Sequence, residues 1–114
     1  DFGVSNQNPM MMELLKTEVK QPLVANQLQL SAAFSPAFEA SFHVNMEGAA
    51  ANMRDGSIFE YCRLNDVVIQ AWSVLQHGYF EGVFVGSDKY PKLNAVLNRL
   101  ADKYQISPAA VAIA

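Results

Sequence analysis

The sequence predicts an α/β protein built on a parallel sheet. Short apolar runs alternate with stretches of helical spacing along the chain, the order expected of β-α-β units. Leu23, Val24 and Ala25 are apolar without alternation, as in a strand covered on both faces. Val67, Val68 and Ile69 are β-branched and consecutive, which favours an extended run over a helix.

The opening residues, DFGVS, are short, apolar and β-friendly, so a strand comes first. Asn8 then offers an N-cap side chain, and Pro9 has the fixed φ of a first helical position. Met11, Leu14, Leu15 and Val19 recur at helical spacing. They predict a helix over residues 9–19 with those four on its apolar face. Pro22 resets the chain, and a second strand follows over Leu23–Gln29, with Leu28 and Leu30 alternating with Gln27 and Gln29.

Residues 32–56 mix small residues, aromatics, Pro36 and Gly48. A connection that long between regular elements is a functional loop or an insertion. Ser57 and Glu60 form a capping-box pattern ahead of Ile58, Phe59, Cys62 and Leu64, so a helix is predicted over 58–65. The third strand begins at Val67. The loop QHGYFEGVFVGSDKYP after it is punctuated by glycines. Leu93, Val96, Leu97 and Leu100 then predict a helix ending near Lys103, and Ser107-Pro108 starts a last one.

The 114 residues suit one domain with a real core. They are 51% hydrophobic and only 17% charged, against roughly 25% charged in an average soluble domain. A chain so thin in charge has surface meant to be buried against something else. Net charge is −3 and no Lys/Arg run exists, which argues against a nucleic-acid or anionic-membrane partner. No apolar run approaches the ~20 residues that span a bilayer. The single cysteine, Cys62, points to a reducing compartment, and the cytoplasm is expected.

Polar residues cluster just after each strand: Ser5-Asn6, Gln27 and Trp72-Ser73. In α/β proteins the carboxyl ends of strands are where ligands bind. A side-chain amide is both donor and acceptor, so Asn6 and Gln27 together can read a carboxamide, which carries the same pair in reverse. The indole of Trp72 can stack on a flat ring, and Ser73 with the backbone after it can hold a phosphate. The set fits a nicotinamide cofactor.

The stretches GVSN, ANQLQLS and IQAWSVL, in that order, resemble the aldo-keto reductase superfamily, in particular its bacterial NADP-dependent oxidoreductases. The tail LADKYQISPAAVAIA resembles the family's helix before its last strand. The resemblance implies a partial (β/α)8 TIM barrel of about three β/α units, similar to strands five to seven. Residues 1–114 would then be a fragment of one barrel domain. It implies that Ser5, Asn6 and Gln27 bond the nicotinamide carboxamide and that Trp72 stacks on the nicotinamide ring. Ser73, Leu75 and the loop to Gly78 would contact the pyrophosphate, although Val74 and Gln76 depart from the small turn residues usual there. The implied activity is reduction of aldehydes or ketones to alcohols by hydride transfer from NADP(H), on a small carbonyl substrate. The implied catalytic Asp, Tyr, Lys and His lie on earlier strands and match no position here. The chain alone is therefore expected to be inactive and to need the remainder of the barrel. The alternative is a nicotinamide-binding barrel serving as a sensor or regulatory subunit, and a third reading is an independent small α/β binding module.

Plainer readings stand beside these. Ser5-Asn6 can be the loop before the Asn8-Pro9 cap, Gln27 an ordinary strand-end amide, and Trp72 a core residue. His43 and His77 lie in loops without ligand-spaced partners, which predicts no metal site. Cys62 reads as helix packing, and Met10 to Met12 as packing against a barrel. Ser35 and Ser41 carry no nucleophile motif, and no G-x-G-x-x-G occurs.

Overall fold

A computed structural model describes residues 1–38, 57–78 and 81–114. His43, Ser41, Gly48 and most of the long mixed stretch fall outside the described residues. The elements run β1 (Phe2–Ser5), α1 (Pro9–Glu18), β2 (Leu23–Gln29), α2 (Ile58–Leu64), β3 (Val68–Trp72), α3 (Pro91–Tyr104) and α4 (Pro108–Ile113). A helical turn also begins at Pro36. The strands form one open parallel sheet in the order β1-β2-β3. β1 pairs with β2 in the register Gly3↔Ala25, Val4↔Asn26 and Ser5↔Gln27, with an irregularity between Phe2 and Gly3. The central strand explains the unbroken apolar run: Leu23, Ala25, Asn26 and Leu28 are all buried. β3 lies at an edge, and its Val68 is exposed.

The chain divides into two compact units. The first, Asp1–Leu28 with Ser35–Gln70, has a core of Met12, Leu23, Leu28, Ile58, Cys62 and Val67. α1 starts where expected, with the Asn8 side chain accepting from the Met11 N–H at 2.8 Å. Its buried face is the predicted one only in part: Leu15 and Val19 turn inward, but Met12 takes the place of Met11 and Leu14. Met12 is fully buried and Leu15 half-buried, while Met11 and Leu14 are exposed. Met12, Leu15 and Val19 are spaced by three and four, and Met12 and Leu15 pack in the core with Leu23 and Leu28 of β2 and Ile58 and Cys62 of α2. Of the three methionines only the last, Met12, packs as expected, since Met10 is 74% and Met11 45% exposed. The capping box at α2 also fails: Ser57 makes no side-chain cap bond. The φ of −102° and ψ of 8° at Ser57 lack the extended geometry that aims a cap hydroxyl at the first turn.

α1 and α2 are joined on their outer faces. Lys16 Nζ donates to Glu13 at 2.7 Å, to Tyr61 Oη at 3.1 Å and to Asn65 Oδ1 at 3.2 Å, and the Tyr61 hydroxyl donates to Glu13. The bonds from Lys16 and Tyr61 hold the Glu13 carboxyl below its ordinary pKa. Glu13 and Tyr61 in turn raise Lys16. Partial burial, with the bond to Glu13, raises the Tyr61 phenol. Burial raises the Cys62 thiol, in keeping with its reading as a packing residue.

The second unit comprises Gln29–Phe34 and Ala71–Ala114. Phe84, Leu97 and Ala101 are its buried hydrophobics. On α3 the buried stripe is Leu97 and Ala101 with Leu93 and Leu100 half-buried, while Val96, predicted inward, is exposed. α3 stops at Gln105, whose left-handed φ of 54° ends the helical bonds. α4 starts as predicted, Ser107 Oγ accepting from the Ala110 N–H at 3.1 Å.

Candidate functional site

Ser5 and Asn6 are exposed at the carboxyl end of β1. The parallel ladder runs through them: the Asn6 N–H donates to the Gln27 carbonyl at 2.9 Å, and Ser5 Oγ donates to the same oxygen at 3.3 Å. Asn6 then turns left-handed at φ 54°. Asparagine tolerates that region better than any residue but glycine. Ser5 and Gln27 are register partners, so the ladder itself brings these two predicted residues together. They line a shallow cleft of about 250 Å³ with Gly3, Val4 and Gln70. Gln27 Nε2 donates to Gln70 Oε1 at 3.0 Å across the β2–β3 pair.

Sequence reasoning missed two residues. Gln70 is one, although its place two residues before Trp72 puts it on the same strand face. Asn26 is the other. It is fully buried, and its Nδ2 donates to the Gln7 carbonyl at 2.8 Å while its Oδ1 accepts from the Gln7 N–H at 3.5 Å. It thereby fixes the backbone just after Ser5-Asn6. The signal was available: asparagine is out of place in an apolar central strand unless its amide is satisfied locally.

Trp72, Ser73, Leu75 and Gly78 belong to the second unit. Trp72 is half-buried at the end of β3, and its carbonyl accepts from the Leu30 N–H at 3.3 Å. Ser73 is left-handed at φ 53°, a conformation with no side-chain excuse of the kind asparagine has. The chain then folds back on itself: Gln76 N–H donates to the Ser73 carbonyl, Gln76 bridges Val83, and Phe84 N–H donates to the Leu75 carbonyl at 3.0 Å. Gly78 takes φ 67°, so its lack of a Cβ is used in the turn. His77, read as a loop residue, is a structural pin. Its Nδ1 bonds the Ala33 carbonyl, and its ring packs edge-on to Phe34 at 6.0 Å. Ser31 Oγ donates to the Gln76 carbonyl at 2.6 Å and completes the brace. Among the described residues no group of three His, Cys, Asp or Glu side chains could hold a metal. No described helix is long and apolar enough to cross a membrane.

Alternating strands and helices, parallel pairing and polar side chains gathered where strands end define an α/β protein of the strand-end-site class. The sequence profile of the aldo/keto reductase family matches residues 1–114, and the chain belongs to that family. The family is one of oxidoreductases on a TIM barrel, and it generally uses nicotinamide cofactors and carbonyl substrates. Searches of curated proteins and of solved structures find no match.

Proposed function

We propose that this chain supplies part of the cofactor floor of an NADP(H)-dependent carbonyl reductase. The observation that carries the reading is the cleft at the ends of β1 and β2, where Ser5 and Gln27 are register partners. A carboxamide needs one acceptor for its N–H groups and one donor for its oxygen. With Gln27 Nε2 engaged by Gln70, Gln27 Oε1 is the acceptor, and the donor is the Asn6 amide, or the Ser5 hydroxyl once it turns away from the Gln27 carbonyl. The donor set therefore fits the group. Bound, the cofactor supplies the hydride that reduces an aldehyde or ketone.

In the same reading Trp72 stacks on the nicotinamide ring and leaves one face open. Ser73, Leu75 and Gly78 contact the pyrophosphate. Val74 and Gln76 replace the usual small turn residues, and Gln76 instead closes the turn by bridging Val83. The three open parallel strands serve as part of a (β/α)8 barrel, and residues 1–114 are a segment of that one domain. The catalytic Asp, Tyr, Lys and His come from the barrel's other strands, so the chain by itself turns over nothing.

The test is fluorescence titration of the full-length protein with NADPH. Gln27→Ala together with Trp72→Ala weakens binding at least tenfold, from one lost hydrogen bond and one lost stacking surface. Unchanged affinity would sink the assignment.

A further inference from the structure

We infer that Gln70 is a positioning residue that sets the polarity of Gln27 and so makes the site select a carboxamide over other ring substituents. The inference rests on the nicotinamide reading above. A glutamine amide has two orientations, differing only in which end faces the ligand. An exposed glutamine with no partner populates both, and half its encounters with a carboxamide meet like with like. Gln27 is not free in this way: its Nε2 is bonded to Gln70 Oε1 at 3.0 Å. That bond occupies Gln27 Nε2 and leaves Oε1 as the end of the amide not taken by Gln70, at a cleft that Gly3, Val4, Ser5 and Gln70 also line. The backbones that carry the pair are fixed: the Asn6 N–H holds the Gln27 carbonyl, and Gln70 sits within β3, the strand hydrogen-bonded to β2. The ligand group that this polarity selects is one presenting N–H to Gln27, which a primary carboxamide does and a methyl ketone does not.

The experiment compares two cofactors on the full-length protein: NADPH and its reduced 3-acetylpyridine analogue, in which a methyl ketone replaces the carboxamide. The unmodified protein prefers NADPH by about threefold to tenfold, the value of one hydrogen bond. Gln70→Leu removes the acceptor, frees the amide and lowers the ratio by up to about twofold, the statistical weight of the second orientation. Gln70→Glu still accepts and keeps the preference. Gln70→Lys donates only, turns the Gln27 amide over and lowers the ratio below that of Gln70→Leu. A purely structural role for Gln70 would weaken both cofactors equally and leave the ratio alone. A ratio unmoved by Gln70→Leu and Gln70→Lys, a ratio of one in the unmodified protein, or a preference lost in Gln70→Glu each overturns the inference. Its failure is separable from that of the nicotinamide reading. If Gln27→Ala weakens NADPH while the Gln70 variants leave the ratio fixed, only the role of Gln70 falls. If Gln27→Ala changes nothing, the nicotinamide reading falls first.

Discussion

Each unit fastens a strand-end loop with one asparagine, and the two do so by opposite routes. In the first unit Asn26 reaches from the neighbouring strand, fully buried, to the backbone of Gln7 in the β1–α1 loop. In the second, Asn94 reaches back from the helix that follows the loop. Its Nδ2 donates to the carbonyls of Phe84, Ser87 and Tyr90 at 2.9–3.0 Å, and its Oδ1 accepts from the Gly86 N–H at 2.7 Å. A three-residue loop needs one anchor point supplied by the sheet. The long loop after β3 has to be gathered at several carbonyls, and a helix residue can do that because the loop returns to the helix start. The environment of the amide then decides the energetics. Asn26 is itself fully buried, whereas Asn94 is half-buried.

The largest effect expected from this contrast is at Asn26. Asn26→Leu keeps the volume but strands the Gln7 carbonyl, and costs about 2–3 kcal/mol of stability in urea unfolding. Asn94→Leu costs less, about 1–2 kcal/mol, because the carbonyls of Phe84, Ser87 and Tyr90 each keep a backbone N–H donor. Its signature is local: faster amide exchange at Gly86 with little change in the protection of β2. Equal losses at the two sites would break the comparison.

The left-handed residues that end β1 and β3 sharpen it further. Ser73→Gly relieves a strained φ and raises stability by up to about 1 kcal/mol, whereas Asn6→Gly is close to neutral, as thermal unfolding of the two variants will show. The reverse ranking would mean that Ser73 is held by contacts worth more than its strain.

The smallest effect is on the exposed brace between α1 and α2. The Glu13 pKa is depressed on folding, so its contribution is present above its unfolded value and lost as pH falls through the folded one. The Lys16 and Tyr61 pKa values are raised, so theirs are present below their unfolded values and lost as pH rises through the folded ones. Stability therefore has a shallow plateau between the carboxylate and the phenol-ammonium ranges. Glu13→Gln flattens its acid limb, measured as the urea midpoint against pH.

Much of the fold was legible in the sequence because its signals are local. Asn8-Pro9 and Ser107-Pro108 start helices by chemistry confined to four residues, and Leu23–Gln29 is a strand with the expected limits. What misled were patterns that two structures share. Met11 and Leu14 fit helical spacing with Leu15 as well as Met12 does, and only the position of β2 and α2 chooses between them. Ser57 and Glu60 match a capping box in spacing, but the backbone at Ser57 decides whether the hydroxyl can reach. The candidate site divides in the same way. Ser5, Asn6 and Gln27 announce themselves as polar residues where strands stop. Gln70 and Asn26 act on partners 43 and 19 residues away, through pairings that exist only once the sheet has formed.

Cys62 offers a clock. It is the chain's one thiol, 1% exposed in the core beneath β2, with burial disfavouring its thiolate. An alkylating reagent reaches it faster when the first unit opens, so the rate of its modification follows those openings. The second unit carries no thiol and is silent in that measurement. A single mass shift therefore reports on the unit that holds Ser5, Gln27 and Gln70.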